Sequence, residues 1–350
     1  MNVIPVNNYQ WTMVYNISEL SVNISSSGAT EDLRIVQLVF ALILSVVGLT
    51  GNSFTIYRII SESLYRQVCN KYILNLSINN LITCVIVIPI LGVSFYKQKW
   101  IFGEGLCYFY PYLMHTTLCS ETNALLLITI NRYCIVVHPL LYNKLYNRKY
   151  FNVFLIGSSW LVYLVIQTLP LAKIWGKFEY NKHKHYCTYA DDSETKTFIA
   201  SLCALILLTN LPIHVFCYGS ILWKYKRSKK RMSIVQSSNQ RRERRKDARE
   251  PMNIVQSSNP PRECRKDARE PKMNMSLMRM IIVIILCFTL THTPFLAVNA
   301  IDPTLTLTGI TVYMVMAYIA LCHTAFNPIV YALMNKQICN NMCRPTLCCQ

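Results

Sequence analysis

Seven stretches of the chain are apolar for long enough to cross a bilayer as helices: about 35–58, 70–96, 107–137, 150–172, 197–223, 277–300 and 309–334. A helix needs about 20 mostly apolar residues to span a hydrocarbon core of about 30 Å, because lipid offers its backbone no hydrogen-bond partner. The polar stretches between them divide the chain. Residues 1–34 form a tail, 35–226 carry helices one to five, 227–272 form a basic loop, 273–334 carry helices six and seven, and 335–350 form a Cys-rich tail. The pattern predicts an all-α membrane protein, a seven-transmembrane helix bundle, with a short amphipathic helix after the seventh span.

Composition agrees with this. The 350 residues are 53% hydrophobic and 15% charged, whereas a soluble protein of this length would divide into two domains and carry more charge. The net charge of +18 would suit a nucleic-acid partner, but its distribution points to the bilayer instead. Residues 224–272 hold seventeen Lys and Arg against six Asp and Glu, a surplus of eleven between the fifth and sixth spans. Positive loops remain in the cytoplasm. Arg58, Arg66 and Lys71, and Lys144, Arg148 and Lys149, fall on the same side, which leaves the N-terminus outside.

The tail is polar and contains two glycosylation sequons, at Asn16 and Asn23. No basic stretch followed by an apolar one precedes the first span, so that span is expected to act as the insertion signal. Of the fifteen cysteines, Cys107 and Cys187 reach the outer, oxidising face, while most others lie within spans as small apolar residues. Cys339, Cys343, Cys348 and Cys349 follow the seventh span and are candidates for palmitoylation. Zinc there would lack a histidine and a CxxC pair, and His183 with His185 outside supplies too few ligands for a metal site.

The basic loop contains a tandem duplication. Met232–Pro251 and Met252–Pro271 differ at four of twenty positions. With little apolar content, neither copy buries enough surface to offset its ordering entropy, so a disordered or partly helical insert is expected. It is either a duplication in a tolerant loop or a basic surface for anionic lipid.

The third span ends Asn131-Arg132-Tyr133 and the seventh ends Asn327-Pro328-Ile329-Val330-Tyr331. With Gly51-Asn52, Asn75-Leu76-Ser77, Trp160 and Trp100-Ile101-Phe102-Gly103 ahead of Cys107, these motifs occur in order, each in its own segment. Over about 35–340 the chain resembles the rhodopsin-like (class A) G-protein-coupled receptors. The stretches around His138-Pro139-Leu140 and Tyr186-Cys187-Thr188-Tyr189-Ala190 are most similar to melatonin receptors and the moody-type invertebrate orphan receptors. The resemblance implies an extracellular ligand and a heterotrimeric G protein as partners, at the plasma membrane. It implies a Cys107–Cys187 disulfide. It also implies a coupling role for Asn131, Arg132, Tyr133, Tyr218, Asn327, Pro328 and Tyr331.

A charge such as Arg132 costs about 2.5–3.5 kcal/mol at mid-bilayer on insertion scales, and is either functional or snorkels to the interface. Departures from the family pattern sharpen the reading. Asn131 replaces the usual acidic neighbour of Arg132, and Asn274 stands about where some receptors place an acid, so basal activity is expected. Asn80 replaces the family's sodium-binding carboxylate while Glu121 carries a carboxylate on the facing helix. Asn52, Asn80, Glu121 and Asn327 then form a polar site that either holds a sodium ion, the only cofactor in view, or contains a glutamic acid kept neutral by burial and hydrogen-bonded across helices. His292 stands where the family usually has Trp, just before the kinking Pro294, as a core histidine or a pH sensor.

The ligand pocket is expected at Met114, Leu118, Leu171, Asp191 and His292. Met114 occupies the position of the aminergic Asp, which disfavours an amine. No lysine occurs in 309–334 to form a Schiff base with retinal. Leu171 and Asp191 replace the melatonin-contacting amides, and Pro212 is displaced. Enzymatic function is not expected, since HExxH, GxSxG and P-loop motifs are missing from the sequence. A transporter would show repeated membrane segments. A non-signalling scaffold or decoy receptor remains the rival reading.

Overall fold

The computed structural model describes residues 31–247 and 275–334. The candidates Asn16, Asn23, Asn274, Cys339, Cys343, Cys348 and Cys349, the helix expected after the seventh span and the second repeat copy lie outside the described residues.

Seven long helices build the described residues. They are α1 (Glu31–Ser61), α2 (Val68–Lys97), α3 (Gly103–Val137), α5 (Lys149–Leu171), α6 (Ser193–Asp247), α7 (Met275–Ile301) and α8 (Gly309–Met334). A short α4 (Pro139–Leu145) follows α3. Between α5 and α6 lies an antiparallel hairpin, β1 (Phe178–Asn181) with β2 (Tyr186–Tyr189), in the register Asn181 opposite Tyr186. The hydropathy pattern did not predict this hairpin.

Six of the seven are long and apolar enough to cross a membrane by length and composition. The other is α3, which packs against α2, α5, α6, α7 and both strands. Surrounded by protein, α3 has less need of an apolar outer face and buries Thr116, Ser120, Glu121, Asn131 and Arg132. The outer helices show the converse. Val36, Ile43 and Val46 of α1, Phe154 and Leu161 of α5, and Leu208 and Leu211 of α6 are exposed. Apolar residues outside and polar residues inside is the arrangement that lipid, not water, favours.

Several boundaries differ from expectation, and α3 and α6 each begin four residues early, at Gly103 and Ser193. The first helix is already formed at Glu31 rather than 35, and Glu31 and Asp32 there complement the positive end of the helix dipole. Helix α6 passes the expected limit at 226 and runs to Asp247. Its 55 residues extend about 80 Å at 1.5 Å per residue, more than twice a hydrocarbon core. Most of the first repeat copy is therefore helical, as its Gln, Arg, Glu and Lys favour.

Close approach needs small residues. A Cβ on Gly51 would meet Pro328 Cβ at 2.8 Å, and one on Gly92 would meet Ala41 Cβ at 2.8 Å, so these positions seat α1 against α8 and α2. In α2 the helix widens to a π turn over Thr83–Val87, ahead of Pro89, which lacks a backbone donor. Helix α8 breaks at Cys322, between helical Gly309–Leu321 and His323–Met334.

The loop between α7 and α8 is organised by Asp302. Its carboxylate accepts from the backbone N–H groups of Thr306, Leu307 and Thr308 at 2.9, 2.8 and 2.7 Å, and from the hydroxyls of Thr306 and Thr308. Burial opposes its charge, but the bonds from Thr308, Leu307 and Thr306 outweigh that and hold the carboxyl down at about 2. The stabilisation is complete above the ordinary carboxylate value and is lost as pH falls through about 2. Asp302→Asn removes the charge and points an amide N–H at these donors. It is expected to cost about 2 kcal/mol at neutral pH, read as a lower unfolding midpoint, with the two proteins converging in strong acid.

Candidate functional site

Three groups of residues line the bundle from the hairpin end to the basic end. At the hairpin end Cys107, near the start of α3, is bonded to Cys187 of β2, with Cα atoms 5.2 Å apart. The disulfide holds the hairpin across the mouth of the bundle. Tyr186 of β2 meets Tyr313 of α8 through their hydroxyls at 2.7 Å. His115 of α3 stacks on Tyr189 with ring centres 4.0 Å apart, and its Nε2 lies 3.3 Å from the Thr188 hydroxyl.

The expected pocket residues are carried by α3, α5, α7 and the loop after β2. Met114 packs on the core that contains Tyr110, Tyr186 and Tyr313. Leu118 is half-buried along α3, and Leu171 is half-buried at the end of α5. Asp191 stands on the outer loop, where it accepts from Asn181 Nδ2 at 2.6 Å. His292 lies deeper, its ring stacked on Phe288 at 4.1 Å and 4.8 Å from the ring of His323.

The middle group is the most informative. Asn52 Nδ2 donates to the carbonyls of Gly48 and Thr324, and Asn80 Nδ2 approaches Asn52 Oδ1 at 3.5 Å, which ties α1, α2 and α8 together. Asn79 Nδ2 donates to Thr117 O, which ties α2 to α3. Glu121 has a partner that the motif comparison did not suggest. His323 Nε2 lies 2.8 Å from Glu121 Oε2, and the side chains are only 4% and 2% exposed. The other ring nitrogen, Nδ1, lies 2.5 Å from the carbonyl oxygen of Ala320.

Those two contacts fix the proton count. A carbonyl oxygen only accepts, so Nδ1 carries a proton. The short Nε2–Oε2 contact needs a second one, on the imidazole or on the carboxyl. Either the pair is imidazolium with carboxylate or it is imidazole with carboxylic acid, and both have zero net charge. A sodium ion needs oxygen ligands, and so deeply buried it is held best where they carry a negative charge. The oxygens are present, since Glu121 Oε1, Asn80 Oδ1, Asn327 Oδ1 and Ser120 Oγ are buried without a protein partner. The charge is not, because His323 already neutralises it. The site does not fit the ion that the resemblance implied. It fits the alternative, a carboxyl hydrogen-bonded across helices.

At the basic end, Arg132 is buried near the end of α3 and pairs with no carboxylate within 4 Å among the described residues. Its Nε and Nη2, and the hydroxyls of Tyr218 and Tyr331, are buried without a protein partner. Tyr331 belongs to the same core as Met280, Ile281 and Ile284 of α7, with Tyr133, Tyr142 and Tyr218 packed on it. Tyr133 OH reaches His138 Nε2 at 3.0 Å, and Lys224 of α6 reaches the carbonyl of Val137. Asn131 is fully buried, and Asn327 and Pro328 lie buried in α8. Trp160 Nε1 donates to Asn75 Oδ1 and joins α5 to α2.

Among the described residues, seven long helices around a polar axis, a disulfide-pinned hairpin at one mouth and an arginine with no carboxylate within 4 Å at the other define a seven-helix membrane receptor. The chain belongs to the 7 transmembrane receptor (rhodopsin family), whose description matches residues 51–331. It is similar to the G-protein coupled receptor moody of Drosophila pseudoobscura pseudoobscura, 27% identical over 210 residues, 60% of this chain and 31% of the relative. It is also similar to the melatonin receptor type 1C of Xenopus laevis, 26% identical over 194 residues, 55% of this chain and 44% of the relative. The matched region thus spans less than half of either relative. The crystal structure of squid rhodopsin matches with a TM-score of 0.69 at 20% identity, covering 89% of this chain and 85% of that one, a likeness of fold.

Motif comparison missed His323, Lys184, Asn299 and Tyr313. His323 had a signal: it stands one turn before Asn327 on the same face of the seventh span. The others had none, because their meeting depends on the hairpin.

Proposed function

We infer that the protein is a signalling receptor of the plasma membrane. It takes an extracellular ligand at the hairpin end and activates a heterotrimeric G protein at the basic end. The observation that carries the reading is Arg132, buried without an acidic partner in the core shared by Tyr218, Tyr331 and α7. A group that costs this much to bury is retained where a second state uses it. In the family the arginine enters the G-protein interface as the sixth helix moves outward, and Pro294 in α7 suits such movement. The disulfide supports the orientation, since disulfides persist on the oxidising side, and the basic side of the bundle is then cytosolic.

The relatives' printed names include melatonin receptors. Leu171 and Asp191 stand where their pocket amides are expected, so melatonin is not the ligand proposed here. The test is guanine-nucleotide exchange in membranes that hold the receptor and one G protein at a time. Exchange above that of mock membranes is expected without ligand, and its loss in Arg132→Ala. No exchange with any G protein would leave the scaffold or decoy reading in its place.

A further inference from the structure

Lys184 sits in the four-residue turn of the hairpin, where a lysine would ordinarily reach into water, yet it is 7% exposed. The turn is built to aim it inward. Asn181 Oδ1 accepts from the backbone N–H groups of His183 and Lys184, both at 3.0 Å, and His185 takes the left-handed conformation that closes the turn. The disulfide at Cys187 then fixes the following strand to α3. Lys184 Nζ donates to Asn299 Oδ1 of α7 at 3.0 Å and lies 5.5 Å from the ring centre of Tyr313.

That is poor compensation for a buried ammonium, which has three donors and a full charge. No carboxylate lies within 4 Å of it among the described residues. Asp191, on the same loop, accepts from Asn181 and acts on Lys184 only through its charge, from beyond 4 Å, which burial outweighs. Burial accordingly pushes the Lys184 ammonium below its ordinary value. A tether between the hairpin and α7 would need only a neutral donor. The chain places a cation there instead, at the mouth of the bundle, beside an amide and an aromatic face.

The neighbouring side chains are apolar and largely buried, Tyr313 fully so. Phe295, one turn along α7 from Asn299, packs on Tyr313 with ring centres 5.4 Å apart, and Met114 and Val298 adjoin the same core. We propose that Lys184 and Asn299 bind the anionic head of an amphiphilic ligand, a carboxylate or a phosphate, whose apolar body lies against Tyr313, Phe295 and Met114. The proposal deepens the reading of this face as the ligand's entrance. Binding measured without a G protein keeps its failure separate from a failure to couple.

The test uses the full-length receptor in phosphatidylcholine nanodiscs and reads the thermal unfolding midpoint. The probes are oleic acid and oleoyl lysophosphatidic acid, against methyl oleate and oleoyl lysophosphatidylcholine. At least one acid is expected to raise the wild-type midpoint by about 3 °C or more at a hundredfold excess over its dissociation constant, and the ester and the choline compound by far less. A response to oleic acid alone assigns a carboxylate, and one to the lysophosphatidic acid alone a phosphate. Lys184→Gln should lose the shift, Lys184→Arg should keep most of it, and unliganded Lys184→Gln should melt no lower than wild type. The proposal is overturned by silence from both acids, by an equal response to methyl oleate, by a shift that survives in Lys184→Gln, or by a marked drop in its unliganded midpoint, which would make the lysine a tether.

Discussion

Substituting His323 by asparagine is expected to make the receptor far more dependent on sodium than the wild-type protein. In the wild type the Glu121–His323 pair has no net charge wherever its shared proton resides, because His323 Nδ1 is committed to the Ala320 carbonyl and Nε2 to the Glu121 carboxyl. Asparagine removes the imidazole and leaves Glu121 as a buried acid among Asn52, Asn80 and Asn327. Breaking one side of a buried pair costs about 3–5 kcal/mol, and a cation that restores neutrality recovers part of that by binding the folded state. Unfolding midpoints should be compared in sodium chloride and in N-methylglucamine chloride at equal ionic strength. The wild type should move by less than about 1 °C, the variant should start several degrees lower, and sodium should raise it. Glu121→Gln combined with His323→Asn removes the acid and should abolish the effect. A wild-type midpoint that responds to sodium as strongly as the variant's would show that the neutral pair does not replace the ion.

Restoring an acid beside Arg132 should quiet the receptor. Nothing acidic within 4 Å restrains this arginine among the described residues, and Asn131, the preceding residue, is fully buried. In Asn131→Asp the carboxylate gains a neighbouring guanidinium, a pairing available in the closed arrangement and given up when the arginine swings out. A preference of about 1.4 kcal/mol for the closed state lowers the active population tenfold when that population is small. Nucleotide exchange without ligand is therefore expected to fall about tenfold, at equal surface expression. Unchanged or raised exchange would mean that Arg132 is not what holds the equilibrium, and the coupling role proposed for it would fall.

The two predictions differ in how much of their basis was legible along the chain. Arg132 and Asn131 were readable because they form a short local motif at the end of one helix. Glu121 was readable as an anomaly, a carboxyl on the third span where the resemblance places a small polar residue. What it does was not, because its partner lies 202 residues away. The hairpin was not legible either, because it depends on pairing between Phe178–Asn181 and Tyr186–Tyr189, which hydropathy does not report.

The number and rough limits of the spans were determined by the sequence alone, since lipid imposes one length and one chemistry on any helix that crosses it, and both are written in consecutive residues. The exception illustrates the rule: α3 is the long helix left out of the six apolar ones because protein, not lipid, surrounds it. Which polar groups meet in the middle was decided only by tertiary structure. A bundle brings together faces of helices distant along the chain, and the net charge of Glu121 with His323, or the burial of Lys184 against Asn299, depends on those meetings.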